Sequence, residues 1–413
     1  MSSLPQTAEP PQMSDRLARR IVAVKRRRDP DLVDRIARGA FEGDPVADRL
    51  IASFKELPSG EGWRMLDEAL ERGPDAVEGA PPELAELLAP ALQPPDWIDL
   101  DLVDAGALAY WRSGGLNLGL ALICGSLAYG YKSSRLTRPL AATGRLEQMA
   151  PRRIQETSRW VAVATKPGAL RPGAEGLHAT VRLRLVHALV RAHLLRMPEW
   201  DHEDWGVPIS ASDSLVTAVG GFMTVPVRAL KDLGVWFSPA ELEAMTHQWS
   251  WIASLMGAPD YLIPRSYAEA RTTMDTALEL DDGPNEDSPK LMRALLYYGA
   301  EFPLEEKLPR LAQRPARAVK ARFLGGFARR WMDEEMADVL GVPDTPLTHL
   351  AVAMRPMTIA REIARASHLL GSDERIARME LAFVERVSAS RWRKVETIAP
   401  EEAEREPVLS SAA

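Results

Sequence analysis

The sequence predicts an all-α fold: a compact multi-helix domain with an accessory helical region at its N-terminus. Strict alternation of apolar and polar residues, the pattern of strands, is nearly absent. Helix-forming residues dominate instead, and proline or glycine interrupts them at short intervals. At 413 residues, with 46% hydrophobic and 26% charged residues, the chain can bury a sizeable core.

The N-terminal part divides into a tail and several short helices. Residues 1–12 are rich in Ser, Pro, Gln and Glu, a composition typical of a disordered tail. Residues 13–98 form the accessory helical region, in which Pro30, Pro45 and the segment 58–62 mark the breaks between helices.

The longest apolar run extends from Gly114 to Gly130. It approaches the length of a membrane span, but glycines and small polar residues recur through it and no second span is present. We therefore expect a buried, glycine-rich helix that permits close approach by another helix or by a flat cofactor. The polar residues 133–143 that follow are expected to form a loop.

The main helical domain is predicted over residues 99–395, followed by a frayed, Glu-rich tail at 396–413. Helices are expected within the domain at 100–113, 146–165, 178–196, 213–233, 238–256, 264–280, 289–300, 304–312, 315–340, 346–371 and 373–389.

Charge and cysteine content exclude several classes of protein. The formal net charge of −7 disfavours nucleic acid as a partner. The single cysteine, Cys124, excludes an intramolecular disulfide framework and a covalent C-x-x-C-H haem attachment. Basic residues at 25–28 cut the first apolar run too short for a signal peptide, which predicts a cytoplasmic protein. The sequence does not indicate an oligomeric state.

His187 is the strongest candidate for a functional residue. It lies on a mostly apolar face of the predicted helix 178–196, and Arg184 and Arg191 share its side of that helix. A neutral imidazole in such a place is a common metal ligand. The alternative is a core histidine that is hydrogen-bonded to a carbonyl. The two arginines suit carboxylate groups, or they form a charged helix edge.

A second constellation lies on the preceding helix. Arg153 and Thr157 are four residues apart, and Glu156 lies beside them. One interpretation of these three residues is a helix-surface ion pair with a cap-like threonine. The other follows from the family resemblance described next.

The two helices together resemble a known family. The pattern R-R-x-x-E-T at 152–157, a Pro-Gly connector, and V-R-x-R-x-x-H-A-x-V-R at 181–191 are similar to the latex-clearing protein (rubber oxygenase) family and to the related MpaB-type oxygenases. The similarity continues through 205–213 and covers roughly 105–265.

The resemblance implies a haem b protein that cleaves carbon–carbon double bonds with dioxygen. It implies that His187 is the proximal iron ligand and that Arg153 and Thr157 lie on the distal side. Arg184 and Arg191 would then pair with the haem propionates. The haem would be held non-covalently, and the substrate would be a small or medium apolar, olefinic or isoprenoid-like molecule. Dioxygenase and monooxygenase chemistry are both open.

The chain departs from the family at two positions. Some rubber oxygenases have a lysine immediately before the distal threonine, where this chain has Glu156. The family's upstream catalytic glutamate has no counterpart, because residues 125–145 contain no Glu or Asp. Glu156 is therefore the candidate proton acceptor. Two alternatives follow: a haem protein with peroxidase-like or sensing activity, and a haem-free helical binding protein that kept the fold.

Overall fold

The computed structural model describes residues 13–142, 146–298 and 308–396, and within these ranges every regular element is a helix. The predicted all-α class is therefore confirmed. The predicted tails, 1–12 and 396–413, lie outside the described residues apart from Glu396. The N-terminal helices are α1 (Asp15–Lys25), α2 (Pro30–Gly39), α3 (Pro45–Lys55), α4 (Glu61–Arg72) and α5 (Pro82–Leu92).

The predicted proline breaks are helix starts. Pro30 and Pro45 occupy the first turns of α2 and α3, where a missing backbone N–H leaves no helical hydrogen bond unmade. The side chain of Asp29 caps α2, and that of Asp44 caps α3 by accepting from the backbone N–H of Ala47 at 3.2 Å.

The glycine-rich run forms a continuous, largely buried helical segment, as expected. Its middle, Ala121–Leu127, is a π-helix (π1). Local widening of this kind often occurs at functional sites. The helices of this central part are α6 (Leu100–Trp111), α7 (Gly115–Leu120), α8 (Ala128–Gly130), α9 (Ser134–Ala142), α10 (Leu146–Ala164) and α11 (Glu175–Leu194).

None of the helices in the described part of the chain is both long and apolar enough to span a membrane.

The loop predicted at 133–143 is wrong, because Ser134–Ala142 is helix α9. Its first turn is capped from two directions. The hydroxyl of Ser133 accepts from the N–H of Leu136 at 3.3 Å, and the carboxylate of Asp281 accepts from the N–H of Ser134 at 3.2 Å. The second cap comes from a residue far away in sequence, so local sequence could not reveal it.

The remaining helices are α12 (His202–Trp205), α13 (Ala211–Leu215), α14 (Val225–Leu233), α15 (Pro239–Leu255), α16 (Tyr267–Leu280), α17 (Ser288–Tyr298), α18 (Arg310–Trp331), α19 (Glu334–Val339), α20 (Leu350–Ala366) and α21 (Asp373–Glu396), with a second π-helix, π2 (Val216–Thr224), between α13 and α14. The helix predicted over 315–340 is interrupted at Met332, after which Asp333 caps α19. Of the helix predicted over 304–312, residues 304–307 lie outside the described residues.

One hydrophobic core joins the N-terminal helices to the central ones. Leu50 and Leu66, from α3 and α4, belong to the same buried cluster as Trp249 of α15. Around Trp249 the aromatic rings pack edge-on or stacked, with Phe222 of π2 parallel to it at 5.6 Å between centroids. The indole of Trp160 contacts both rings, which places α10 against this core.

Candidate functional site

Helices α10 and α11 form an antiparallel pair that is closest at its connector end. The indole N–H of Trp160 donates to the hydroxyl of Thr180 at 3.2 Å, and a Cβ added at Gly176 would lie 2.8 Å from the carbonyl oxygen of Val163. Arg153 lies seven residues before Trp160 and His187 seven residues after Thr180, so each is about 10 Å along its own helix from this anchor.

The imidazole of His187 is held in its neutral form. Burial and, to a lesser degree, the positive charge of Arg191 lower the pKa of His187 to about 4, while the carboxylate of Asp44 acts in the opposite direction. Its Nδ1 atom is buried and has no hydrogen-bond partner in the described part of the chain. The Nδ1 atom itself is therefore shielded from water, while the side chain as a whole is partly exposed.

Arg184 and Arg191 are both engaged by carboxylates of the N-terminal region. The guanidinium of Arg184 donates to Asp44 through Nε at 2.5 Å and Nη2 at 2.8 Å, in a bidentate pair that is almost fully buried. Arg191 donates to Asp48 through Nε at 2.9 Å. The arginines share a side of α11 with His187, as predicted, but their forks point to protein carboxylates.

Arg191 also stabilises a strained turn. Its Nη1 donates to the carbonyl oxygen of Ile209 at 2.7 Å, and Ile209 has a φ of 50°. A β-branched residue in the left-handed region is unusual and must be stabilised by its surroundings. The next residue, Ser210, forms a capping box with Asp213, which gives that acid a structural role at the start of α13.

On α10, Arg153 is half-buried and donates through Nη1 to the carbonyl oxygen of Leu140 at 2.9 Å. Burial lowers the pKa of Arg153, while the negative charge of Glu156 and the nearby phenol of Tyr131 raise it. An arginine nevertheless stays protonated at all ordinary pH values. Glu156 accepts from Nε of Arg152 at 2.8 Å, and 41% of its side chain is exposed.

An apolar cavity lies behind α10, with Thr157 and Ser158 as hydroxyl groups on its wall. The atom-free space at this place, about 480 Å³, includes open solvent at its mouth, so the enclosed part is smaller. The glycine-rich run provides part of its wall through α7 and π1. The apolar lining includes Leu118, Leu122, Ile123, Leu127, Val161 and Phe222.

The structure brings together some of the predicted residues and adds others. Arg184, His187 and Arg191 are neighbours on α11, and Glu156 is engaged by Arg152, whereas neither His187 nor Arg153 lines the cavity behind α10. Asp44, Asp48 and Tyr131 were not predicted. No short-range pattern marks them, because Asp44 and Asp48 meet α11 only in the folded chain.

Other metal sites find no support in the described ranges. No group of three or more His, Cys, Asp or Glu side chains there could hold an ion. His247 uses its Nε2 to accept from the backbone N–H of Asp99 at 2.9 Å, which gives it a structural role.

Comparison with known proteins agrees with the resemblance in the sequence. Residues 111–365 match the family model for the catalytic domain described as "ER-bound oxygenase mpaB/B'/Rubber oxygenase". A rubber oxygenase of Streptomyces sp. (strain K30) is 26% identical over 329 residues, covering 77% of this chain and 74% of that protein. No solved structure gives a significant match. Because the matched model spans more than half of the chain, this protein belongs to the family of MpaB-type and rubber oxygenases and is an oxidoreductase.

Proposed function

We propose that this protein is a haem b-dependent oxygenase in which His187 is the iron ligand. The substrate, with dioxygen, is a small or medium apolar molecule with an oxidisable double bond, of olefinic or isoprenoid-like character. The observation that carries the proposal is the neutral imidazole of His187 with a buried, unpartnered Nδ1. Because Cys124 is buried and is the chain's one cysteine, the haem is held non-covalently.

The imidazole fits such a cofactor. A buried polar atom without a partner costs free energy, and a nitrogen in this condition on an apolar helix face suits coordination to iron. When bound, haem supplies the electron-transfer chemistry that lets dioxygen react with an olefin. Arg184 and Arg191 fit haem propionates less well, since Asp44 and Asp48 already occupy their forks.

The residues of α10 act on charge and protons in this proposal. The guanidinium of Arg153 is positively charged and half-buried, so it can stabilise negative charge that develops on oxygen atoms beside it. The hydroxyl of Thr157 can donate a hydrogen bond from the cavity wall. Glu156 is the candidate proton acceptor, although it must first exchange its ion pair with Arg152.

The cavity behind Thr157 suits the substrate. Its walls are apolar except for the two hydroxyl groups, so an apolar molecule displaces water without leaving charged groups unsolvated. The hydroxyl groups on α10 restrict the orientations in which a double bond can lie beside that helix.

The proposal is tested by oxygen uptake. Haem-loaded protein is given a panel of small cyclic and acyclic terpenoid olefins, each beside its fully saturated counterpart. We expect uptake that depends on the olefin and produces oxygenated products. Haem retention without olefin-dependent uptake would favour the peroxidase-like or sensing alternative. A protein that takes up no haem would favour the haem-free binding protein.

A further inference from the structure

We infer that residues 40–48 of the N-terminal region are a positioning element for His187. In this arrangement, which rests on the function proposed above, Asp44 and Asp48 hold helix α11 through Arg184 and Arg191. The two arginines then serve to hold the helix, and they do not bind the carboxylates of the cofactor. The segment lies outside the part of the chain that matches the family model.

The ion pairs bracket His187 on its own helix. Arg184 lies three residues before it and Arg191 four residues after it, so all three side chains leave α11 on one side. Asp44 and Asp48 are one turn apart at the start of α3. One attachment point on each side of His187 fixes the position of α11 along its axis and its rotation about that axis. The direction of the imidazole is fixed with them.

The Arg184–Asp44 pair is built into the interior, since Arg184 is 8% exposed and Asp44 6%. In the second pair Arg191 is 3% exposed, whereas the side chain of Asp48 is 35% exposed. A bidentate arginine–carboxylate pair has a defined geometry, whereas an exposed pair is mobile and weak. Removing one member of a buried pair leaves the other charge unsatisfied, so these contacts respond strongly to substitution.

Two glycines leave space for the carboxylates. A Cβ added at Gly43 would lie 3.0 Å from Oδ2 of Asp48 and 3.2 Å from Nε of Arg191. A Cβ added at Gly257 would collide with the carboxylate of Asp44. Side chains at these positions would push the pairs apart.

The same segment is joined to the loop that precedes α13. The N–H of Val207 donates to the carbonyl of Ala40 at 3.0 Å, and the N–H of Ala211 donates to that of Glu42 at 2.8 Å. Arg191 reaches the same loop through Ile209. Residues 40–48 are therefore attached to α11 and to its neighbouring loop, which explains how an N-terminal segment can orient a residue on α11.

The first test is the rate of haem loss, measured by transfer to excess apomyoglobin. In Asp44→Asn we expect haem loss at least tenfold faster than in the wild type, with a shifted iron–histidine stretching frequency in the resonance Raman spectrum of the ferrous protein. Asp44→Glu should recover part of both. If Arg184 bound the cofactor instead, releasing it from Asp44 would slow haem loss or leave it unchanged, and that result would overturn the inference.

The matched control is Asp67→Asn. Asp67 also comes from the N-terminal region and also pairs with an arginine of α11, Arg182, but this pair is exposed and does not flank His187. We expect its haem loss rate to stay within twofold of the wild type. If Asp67→Asn and Asp44→Asn accelerated haem loss equally, residues 40–48 would have only a general stabilising role. That result would contradict the inference.

A second probe removes the carboxylates from the cofactor. Haem dimethyl ester has no free propionates. If the two arginines hold the helix, the protein should bind the ester with an affinity within about threefold of that for haem b, and Asp44→Asn should weaken the binding of both equally. If the arginines bind the propionates, the ester should bind poorly, and Asp44→Asn should not change its affinity. This second pattern would overturn the inference.

A third readout does not depend on haem. Amide hydrogen exchange of residues 183–191 is measured in the haem-free protein, where Asp44→Asn should speed exchange at least tenfold and Asp67→Asn should not. If Asp44→Asn fails to fold, Gly43→Ala provides the same comparison by crowding Asp48. A wild type that takes up no haem would reject the proposed function while this exchange test still stands. Unchanged exchange in both variants would reject the positioning role.

Discussion

His187 has an imidazole whose protonation differs between the folded and unfolded chain. Burial, assisted by the charge of Arg191, lowers its pKa from 6.5 to about 4 in the folded protein. As the pH falls below 6.5, His187 binds a proton in the unfolded chain but not in the folded chain. The contribution of the neutral imidazole to the free energy of unfolding is therefore complete above pH 6.5 and is lost as the pH falls towards 4.

This difference predicts a pH dependence in the haem-free protein. Between pH 6.5 and 4 the free energy of unfolding should fall more steeply in the wild type than in His187→Leu, by at most about 3 kcal/mol. Urea unfolding at several pH values measures the slopes, and the slope is compared because the substitution also changes the overall stability. Parallel slopes would mean that His187 titrates normally and is not held neutral.

Arg153 should matter for turnover and little for haem content. We expect Arg153→Ala to retain haem and to lower kcat by about 10²–10³-fold, since loss of one preorganised donor to developing charge has this magnitude. Arg159, which lies on the same helix at 4.0 Å from the carboxylate of Glu175, is the matched control. Arg159→Ala should stay within about threefold of the wild type. Equal effects of the two substitutions would remove the special role of Arg153.

For individual residues, the sequence was most informative where the candidate residues belong to one short motif. The helical spacing around His187 predicted a shared side for Arg184 and Arg191, and the structure confirms it. It could not predict the partners of those arginines, because Asp44 and Asp48 are about 140 residues away in sequence. In the sequence, Asp44 is marked only by its place before Pro45, at a predicted break between helices.

The pair of helices α6 and α15 forms an unusually close contact. A Cβ at Gly106 would collide with the backbone carbonyl of Ala244, and backbone atoms cannot move aside as a side chain can. We expect Gly106→Ala to reduce the free energy of unfolding by about 1–3 kcal/mol, the usual cost of overpacking.

The control for this contact is Gly130→Ala. The nearest atom to a Cβ at Gly130 is Cδ1 of Leu136 at 3.9 Å, an ordinary van der Waals distance. This substitution should be neutral or slightly stabilising, because alanine favours helix over glycine. Chemical denaturation of both variants gives the comparison. Equal stabilities would show that the helices separate readily and that the close approach is not required.

Several helix positions followed from local capping signals. Pro30, Pro45 and Ser238 mark helix starts with their own neighbours, and the predicted boundaries lie within a few residues of the observed ones. Helix α9 was missed because its polar composition suggested a loop, and one of its two caps, Asp281, comes from another part of the chain. Neither π-helix could be predicted, since a π-turn depends on packing against neighbouring helices.

For the molecule as a whole, the N-terminal region is structurally continuous with the oxygenase region. Buried leucines of α3 and α4 share a core with Trp249, and Asp44 and Asp48 satisfy two buried arginines of α11. We therefore expect a chain that begins at residue 99 to lose cooperative unfolding. Thermal melting followed by circular dichroism measures this. A truncated chain that melts cooperatively and binds haem would show that the region is dispensable.

The central claim is most directly tested by the absorption spectrum of protein expressed with a haem precursor, as purified and after dithionite reduction. The wild type should show a Soret band that shifts on reduction. His187→Ala should lack it while retaining its helical circular dichroism, and His193→Ala, on the same helix, should keep it. Haem at full stoichiometry in His187→Ala, or no Soret band in the wild type, would contradict the assignment of His187 as the iron ligand.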